Sequence, residues 1–290
     1  MKFQFSGHDK FKCKHFWLKK AYDFRVDNNK FTDDQAVVNL GVGKNMVSSI
    51  RYWSKSFGIL DDDDQISDFA HYIFGDQGKD PFCEDVGTIW LLHYKLATIN
   101  KASLYNIFFN HFIKERLEFN KDHLFNFIKI HCQKNDYEVN ENTLQSDISV
   151  FLKSYVRPKR HEKNIEDSHS GLLQELNIFT EFEIDKIIEE QKIWYRVQNN
   201  YKEGLPYQIV LFTILNQLEK KDKSISFREI LTGLNSPGLI FALNPNDLYQ
   251  YIQKITNEFE SIIFSETAGN QLLQFNSNFD KLSVLDDYYS

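Results

Sequence analysis

"NLGVGKNMVSSIRYWSKSFGIL", residues 39–60, separates two readings of the chain. If GVGKN is a phosphate-cradling loop, the protein is a nucleotide hydrolase; if it is the turn between two helices, the protein binds DNA. A P-loop requires G-x-x-x-x-G-K-[ST], in which the first glycine opens the loop and the final hydroxyl holds magnesium. With Gly43 and Lys44 as its end, those two positions fall on Val38 and Asn45, so two of the four fixed positions fail.

The turn reading fits better. Upstream, "FTDDQAVVNLG" (31–41) offers a Thr/Asp start and a short apolar run that stops at Gly41, the pattern of a helix with its cap and its terminator. Downstream, Met46, Ile50, Trp53 and Phe57 recur at +4, +3 and +4, which predicts a second helix with one apolar face. Ser48, Arg51, Tyr52 and Lys55 remain on the outer face, and Lys44 and Asn45 open the helix. That is the make-up of a recognition helix, whose first residues meet base edges or phosphates in a major groove. An ordinary packed helical hairpin would use the same glycine turn.

The next stretch, "GILDDDDQISDFAHYIFGD" (58–76), reads as two short strands joined by a polar turn and followed by a helix. After two helices this is the order of a winged helix. Asp61 to Asp64 put four negative charges at the wing tip, where phosphate would be repelled. The helix must then dock without the wing, or the wing must face another partner.

Net charge over the 290 residues is -7, unusual for a nucleic-acid protein. Its distribution is uneven. Residues 1–55 carry eleven Lys and Arg against five Asp and Glu, a balance of +6, so the remainder carries -13. This concentrates positive potential on one module, and Lys12 and Lys14 join the 44–55 helix as expected DNA contacts. The chain is 42% apolar with 26 Phe, enough for an aromatic-rich core and, at ~150 residues per domain, two domains. No apolar run approaches ~20 residues and the first residues lack a signal peptide's hydrophobic core, so the expected compartment is the cytoplasm and no membrane is involved. Cys13, Cys83 and Cys132 are few, odd in number and without a CxxC pair, which predicts reduced thiols rather than disulfides or a zinc site.

From 82 to 156 helical periodicity dominates, in "GTIWLLHYKLATI", "SLYNIFFNHFIKERL", "DHLFNFIKIHCQK" and "NTLQSDISVFLKSYV". "RPKRHEKNIEDSHSG" (157–171) loses it and carries both signs of charge. The last third offers helices in "LPYQIVLFTILNQL", "SFREILTGL" and "NPNDLYQYIQKI", then a hairpin pattern turning near Gly269 and Asn270; "SPG" at 236–238 reads as a turn. The expected architecture is therefore mainly α: an N-terminal winged helix-turn-helix domain (1–80), a helical middle packed on it (81–156), a connector (157–171) and a second winged-helix-like domain (172–290).

"FSGHDKFKCKHFWLKKAYD", "LGVGKNMVSSIRYW", "DPFCEDVGTIWLLHYKLA", "SDISVFLKSYV" with "EDS" beyond it, and "SPGLIFALNPNDL" occur in this order along the chain. Together they resemble a bacterial family known as domain of unknown function four thousand and seven. That resemblance implies a place in gene clusters for DNA phosphorothioation and phage defence, beside a cysteine desulfurase, an ATPase and a sulfur-transfer enzyme of the phosphoadenylylsulfate-reductase type. One branch of the family is assigned a DNA-nicking role.

Nicking needs a nucleophile near a phosphate and something to hold the added charge, commonly carboxylates with magnesium. The best local cluster is "DPFCEDVGTIWLLH" (80–93). Asp80, Glu84 and Asp85 are candidate Mg2+ ligands, Glu84 and Asp85 the candidate catalytic carboxylates, and His93 a candidate base. The same carboxylates suit helix capping, and His93, between Leu92 and Tyr94, suits a core position. Glu166, Asp167 and His169 form a second acidic set in the connector. Asp147 is expected to point outward from a helix whose Ile148, Phe151 and Leu152 face the core, with Arg157, Lys159 and Arg160 beyond it available to phosphate. No nuclease, deaminase or G-x-S-x-G signature appears. The residues support double-stranded-DNA binding better than catalysis, with metal-dependent nicking as the enzymatic alternative and a docking adaptor or a transcription-regulator-like protein as the non-catalytic ones.

Overall fold

The computed structural model describes residues 3–157, 171–183, 193–218, 223–267 and 269–290. Apart from Arg157 and Gly171, the 157–171 connector lies outside them, with Lys159, Arg160, Glu166, Asp167 and His169. Contacts divide the chain into two units, Met1–Phe108 with Glu118–Arg196 and Phe109–Leu117 with Val197–Ser290. About half the residues are helical and the sheets are small and antiparallel, so the protein is mainly α.

In the first unit, α1 (Trp17–Val26) packs with α2 (Ala36–Leu40), α3 (Lys44–Ser56) and α4 (Asp68–Phe74). α2 ends at Gly41, whose φ of 62° is the left-handed cap that glycine adopts without strain. α3 buries Val47, Ile50 and Trp53, with Phe57 at its C-cap. The expected wing shrinks to one bridging pair, Leu60 with Ile66, because the aspartates between them close a hydrogen-bonded turn, Asp61 N–H to the Gln65 carbonyl, instead of extending strands. Ser67 caps α4 by accepting from Ala70 N–H.

The helical middle follows its periodicity: α5 (Val86–Ile99), α6 (Ser103–Asn110), α7 (Lys121–Gln133) and α8 (Glu141–Tyr155). α7 carries a capping box, Asn120 with His123. Phe108, Phe119, Phe151, Tyr155 and Phe179 form a continuous aromatic core, with ring centroids 4.8 to 6.0 Å apart. Phe119 reaches it from β1 (Glu118–Phe119) and Phe179 from β2 (Phe179–Glu183), and with β3 (Ile193–Val197) these strands make a sheet of order β1-β3-β2.

Asp147 overturns its expected orientation. It is buried, and its oxygens accept from Ser6 N–H at 3.2 and 2.9 Å and lie 2.8 Å from His8 Nε2. Lys10 N–H donates to His8 Nδ1 at 3.1 Å; a backbone N–H can only donate, so Nε2 holds the proton given to Asp147. The His8 ring stacks on Trp53 at 6.1 Å, Ser49 Oγ donates to the His8 carbonyl at 2.8 Å, and Trp53 Nε1 to the Phe11 carbonyl at 3.0 Å. Residues 5–11 are thereby strapped to both α3 and α8. Gly7 makes the close approach possible: at φ +107°, a Cβ would sit 2.4 Å from the Tyr52 ring.

The second unit holds α9 (Tyr207–Gln217), β4 (Ser224–Ser226), α10 (Phe227–Thr232), α11 (Pro237–Ile240), α12 (Pro245–Glu258), β5 (Ile262–Thr267), β6 (Asn270–Phe275) and α13 (Lys281–Tyr289). The three strands pair antiparallel in the order β4-β6-β5. The hairpin turns at the expected Gly269, which has φ +82°. "SPG" is the start of a helix and not a free turn: Ser236 accepts from Leu239 N–H and Pro237 opens α11.

Asp147→Ala leaves the Ser6 amide and His8 without their buried acceptor and is expected to lower stability by about 2–4 kcal/mol. Urea unfolding followed by tryptophan fluorescence measures it; a loss well under that range would mean the strap contributes little to the fold.

Candidate nucleic-acid interface

The first turn of α3 is open. Its N-cap, Gly43, provides no side-chain acceptor, and Lys44, Asn45 and Ser48 are exposed. Uncapped amides and the positive end of the helix dipole suit a phosphate. Tyr52 is half-buried, its ring packed between Gly7 and His8. Burial raises its hydroxyl above the ordinary tyrosine range, and the charge of Asp147 adds to the effect.

Arg51 and Lys55, the other two cations of the expected recognition face, are engaged inside the molecule. Arg51 donates through Nε and Nη2 to the two oxygens of Asp64, at 2.9 and 2.6 Å, and Lys55 Nζ lies 2.8 Å from the same carboxylate. Lys55 also donates to the Asp62 carbonyl at 2.7 Å, and Arg25 Nε to the Asp64 carbonyl at 2.8 Å. The acidic tip is therefore not a free wing. Asp64 clamps α3, Asp62 pairs with Lys101 at 2.5 Å, and Asp61 accepts from Asp63 and Gln65 amides. Burial raises the Asp64 carboxyl, but the hydrogen bonds and charges of Arg51 and Lys55 outweigh that and hold it below the ordinary carboxylate range.

Lys12 and Lys14 are half-buried. Lys14 bridges Gly171, and the Cys13 carbonyl accepts from Leu172 N–H at 3.1 Å, so this basic segment is tied down along its own backbone. Cys13, Cys83 and Cys132 are buried free thiols, and burial pushes Cys132 up to about 11.

The acidic trio before α5 is brought together by local capping. Asp80 Oδ1 accepts from Glu84 N–H at 3.0 Å and Oδ2 from Asp85 N–H at 3.1 Å. Asp85 is the N-cap of α5 and accepts from Gly87 and Thr88. Glu84 is exposed. Among the described residues no group of three or more His, Cys, Asp or Glu side chains is placed to hold a metal ion, and both oxygens of Asp80 and one of Asp85 are taken up by backbone amides. His93 is fully buried, with Nδ1 2.9 Å from the Tyr155 hydroxyl and Trp90 at its edge.

The fold and this face define a mainly α-helical protein that presents the open first turn of one helix beside a cation pair partly neutralised by one carboxylate. No described helix is long and apolar enough to cross a membrane. The chain belongs to the family described as "Protein of unknown function (DUF4007)", whose profile matches residues 5–289. It is similar to two solved structures. One, described as "Magnesium ion-bound SspB crystal structure", is 26% identical with a TM-score of 0.83, over 99% of this chain and 88% of that one. The other, "SspB crystal structure", has the same identity and coverage and a TM-score of 0.82. The search of curated proteins returns no match.

A carboxyl held low when folded stabilises the fold above its unfolded value and loses that contribution as pH falls through the folded one. The unfolding midpoint of the wild type is thus expected to fall more steeply on acidification below the ordinary carboxylate range than that of Asp64→Asn, which has already lost the clamp. Superimposable pH profiles would show the clamp to be idle.

Proposed function

We propose that the protein is a double-stranded-DNA-binding component of a DNA phosphorothioation or phage-defence system, working in the cytoplasm with a cysteine desulfurase, an ATPase and a sulfur-transfer enzyme. The observation that carries the reading is the first turn of α3, with Lys44, Asn45 and Ser48 exposed around uncapped backbone amides. Family membership and the likeness to SspB support the setting. On this reading α2, α3 and the Leu60–Ile66 turn form a reduced winged helix, and the second unit, with helices, β4 and a terminal hairpin, forms another.

Because Asp64 neutralises part of the α3 charge, Lys44 is the cation left to meet phosphate at the helix start. Lys44→Ala is expected to weaken binding and reduce the slope of log K against log salt by about one, as one fewer counterion is released. Asp64→Asn is expected to act the other way, raising affinity and steepening the slope by freeing Arg51 and Lys55. Fluorescence anisotropy on a labelled duplex across a salt series measures both; slopes unchanged in both variants would remove α3 from the contact.

Metal-dependent nicking is the second reading, favoured by the magnesium in the similar structure; the capping geometry of Asp80 and Asp85 weighs against those residues as its ligands. Supercoiled plasmid incubated with magnesium, manganese or EDTA separates the cases. Metal-dependent open circles lost in a folded Glu84→Ala/Asp85→Ala variant would assign nicking near residue 85, whereas a gel shift without cutting is the outcome for a binding component alone.

A further inference from the structure

α12 places four carboxamides in one line. Asn246, Gln250, Gln253 and Asn257 are spaced +4, +3 and +4, and all four are exposed. They lie opposite the buried stripe of Leu248, Tyr251, Ile252 and Ile255. Over the eleven steps from Asn246 to Asn257, at ~1.5 Å per step, the row is about 16 Å long, or roughly five base pairs of duplex. None of the four side chains makes a hydrogen bond among the described residues, so their donors and acceptors face outward.

The rest of that face decides what it fits. α12 carries two exposed charges, Lys254, which donates to the Tyr201 hydroxyl at 2.5 Å, and Glu258 at its last residue, about 100° round the helix from Asn257. The nearby carboxylate, Asp247, is buried and accepts from Asn244 Nδ2 at 2.6 Å. The line of carboxamides itself is thus free of negative charge, with Glu258 to one side of its end. That face also shows no exposed aliphatic or aromatic anchor, which a protein partner would need at the centre of an interface. Asn and Gln are the side chains that pair in two-toothed fashion with adenine N6 and N7 in the major groove. The helix is held at a fixed angle to the hairpin after it, Tyr249 meeting the Phe264 ring edge-on at 5.7 Å.

We infer that α12 is a second DNA-reading element, which enters the major groove of duplex DNA and recognises adenine-containing steps through Gln250 and Gln253, flanked by Asn246 and Asn257. The inference rests on the DNA-binding reading and adds to it a division of labour: α3 supplies phosphate contacts and salt dependence, α12 supplies sequence preference.

The test uses the full chain and a duplex library with a randomised core. Wild type is expected to select adenine-containing sites. On the selected duplex, Gln250→Ala/Gln253→Ala is expected to lose affinity on the order of tenfold per lost pair, with an unchanged salt slope and unchanged binding to random-sequence duplex. Replacing the selected adenines by 7-deaza-adenine, which removes N7, is expected to weaken wild type but not the double variant. These positions are exposed, so an unchanged melting temperature is expected for the variant. No sequence selection by wild type, or the same selected sequence in the double variant, overturns the inference while leaving Lys44-dependent binding intact. Loss of all DNA binding in the wild type overturns both readings.

Discussion

The first unit depends on one buried carboxylate. Asp147 takes the Ser6 amide and the His8 ring from a segment 139 and 141 residues away in sequence, and through them lays residues 5–11 over Trp53 and Ser49 of α3. A carboxylate of this kind is tolerable inside a protein only when hydrogen bonds replace its water. Here they come from a backbone amide and an imidazole whose tautomer is set by a second amide. The consequence is orientation: α3 is held from beneath by the strap and from its far end by Asp64, so its first turn is presented on a rigid base.

Asp64 shows how charge is managed on that base. Two cations on adjacent turns of a helix repel one another, and a carboxylate between them removes the repulsion and restricts both long side chains. The same pairing reduces the field that α3 projects toward a polyanion. On the DNA-binding reading proposed above, an acidic chain of this kind binds weakly wherever the sequence is wrong, and discrimination falls to hydrogen-bonding side chains.

Much of this is legible in the sequence. The +4, +3, +4 spacing in α3, the glycine stop at Gly41, the long helices of the middle and the hairpin at Gly269 all follow from local pattern, because each is stabilised mainly by residues near one another in sequence. Part of what the sequence does not show is non-local. The β1-β3-β2 sheet consists of strands of two to five residues, with Phe119 paired to Tyr195 across the sequence, and no window of the chain carries that partnership. The outward orientation expected for Asp147 rests on Ile148, Phe151 and Leu152 alone, whereas the full helical wheel places it inside: it lies three residues after Leu144 and four before Phe151, both buried. Ser236-Pro237 was read as a turn although a serine followed by proline is also a helix start. The aspartates at 61–64 were visible as charge, but their cations, at 51, 55 and 101, were set by folding. For Asp80 and Asp85 the capping role was among the readings open from the sequence, and it is the one the hydrogen bonds display.

The strap has a consequence for how the protein comes into being. Residues 5–11 are made well before the carboxylate that fixes them, which is borne by α8, and at ~5–20 residues per second the two are made on the order of ten seconds apart. In that interval α1, α2 and α3 are present without the acceptor that holds Ser6 and His8, and the Trp53 surface the strap later covers is open. Closing a connection this non-local is slow and sensitive to competing contacts. Until residue 147 has been made, the exposed Trp53 face is apolar surface without its cover, and the first unit cannot complete its core.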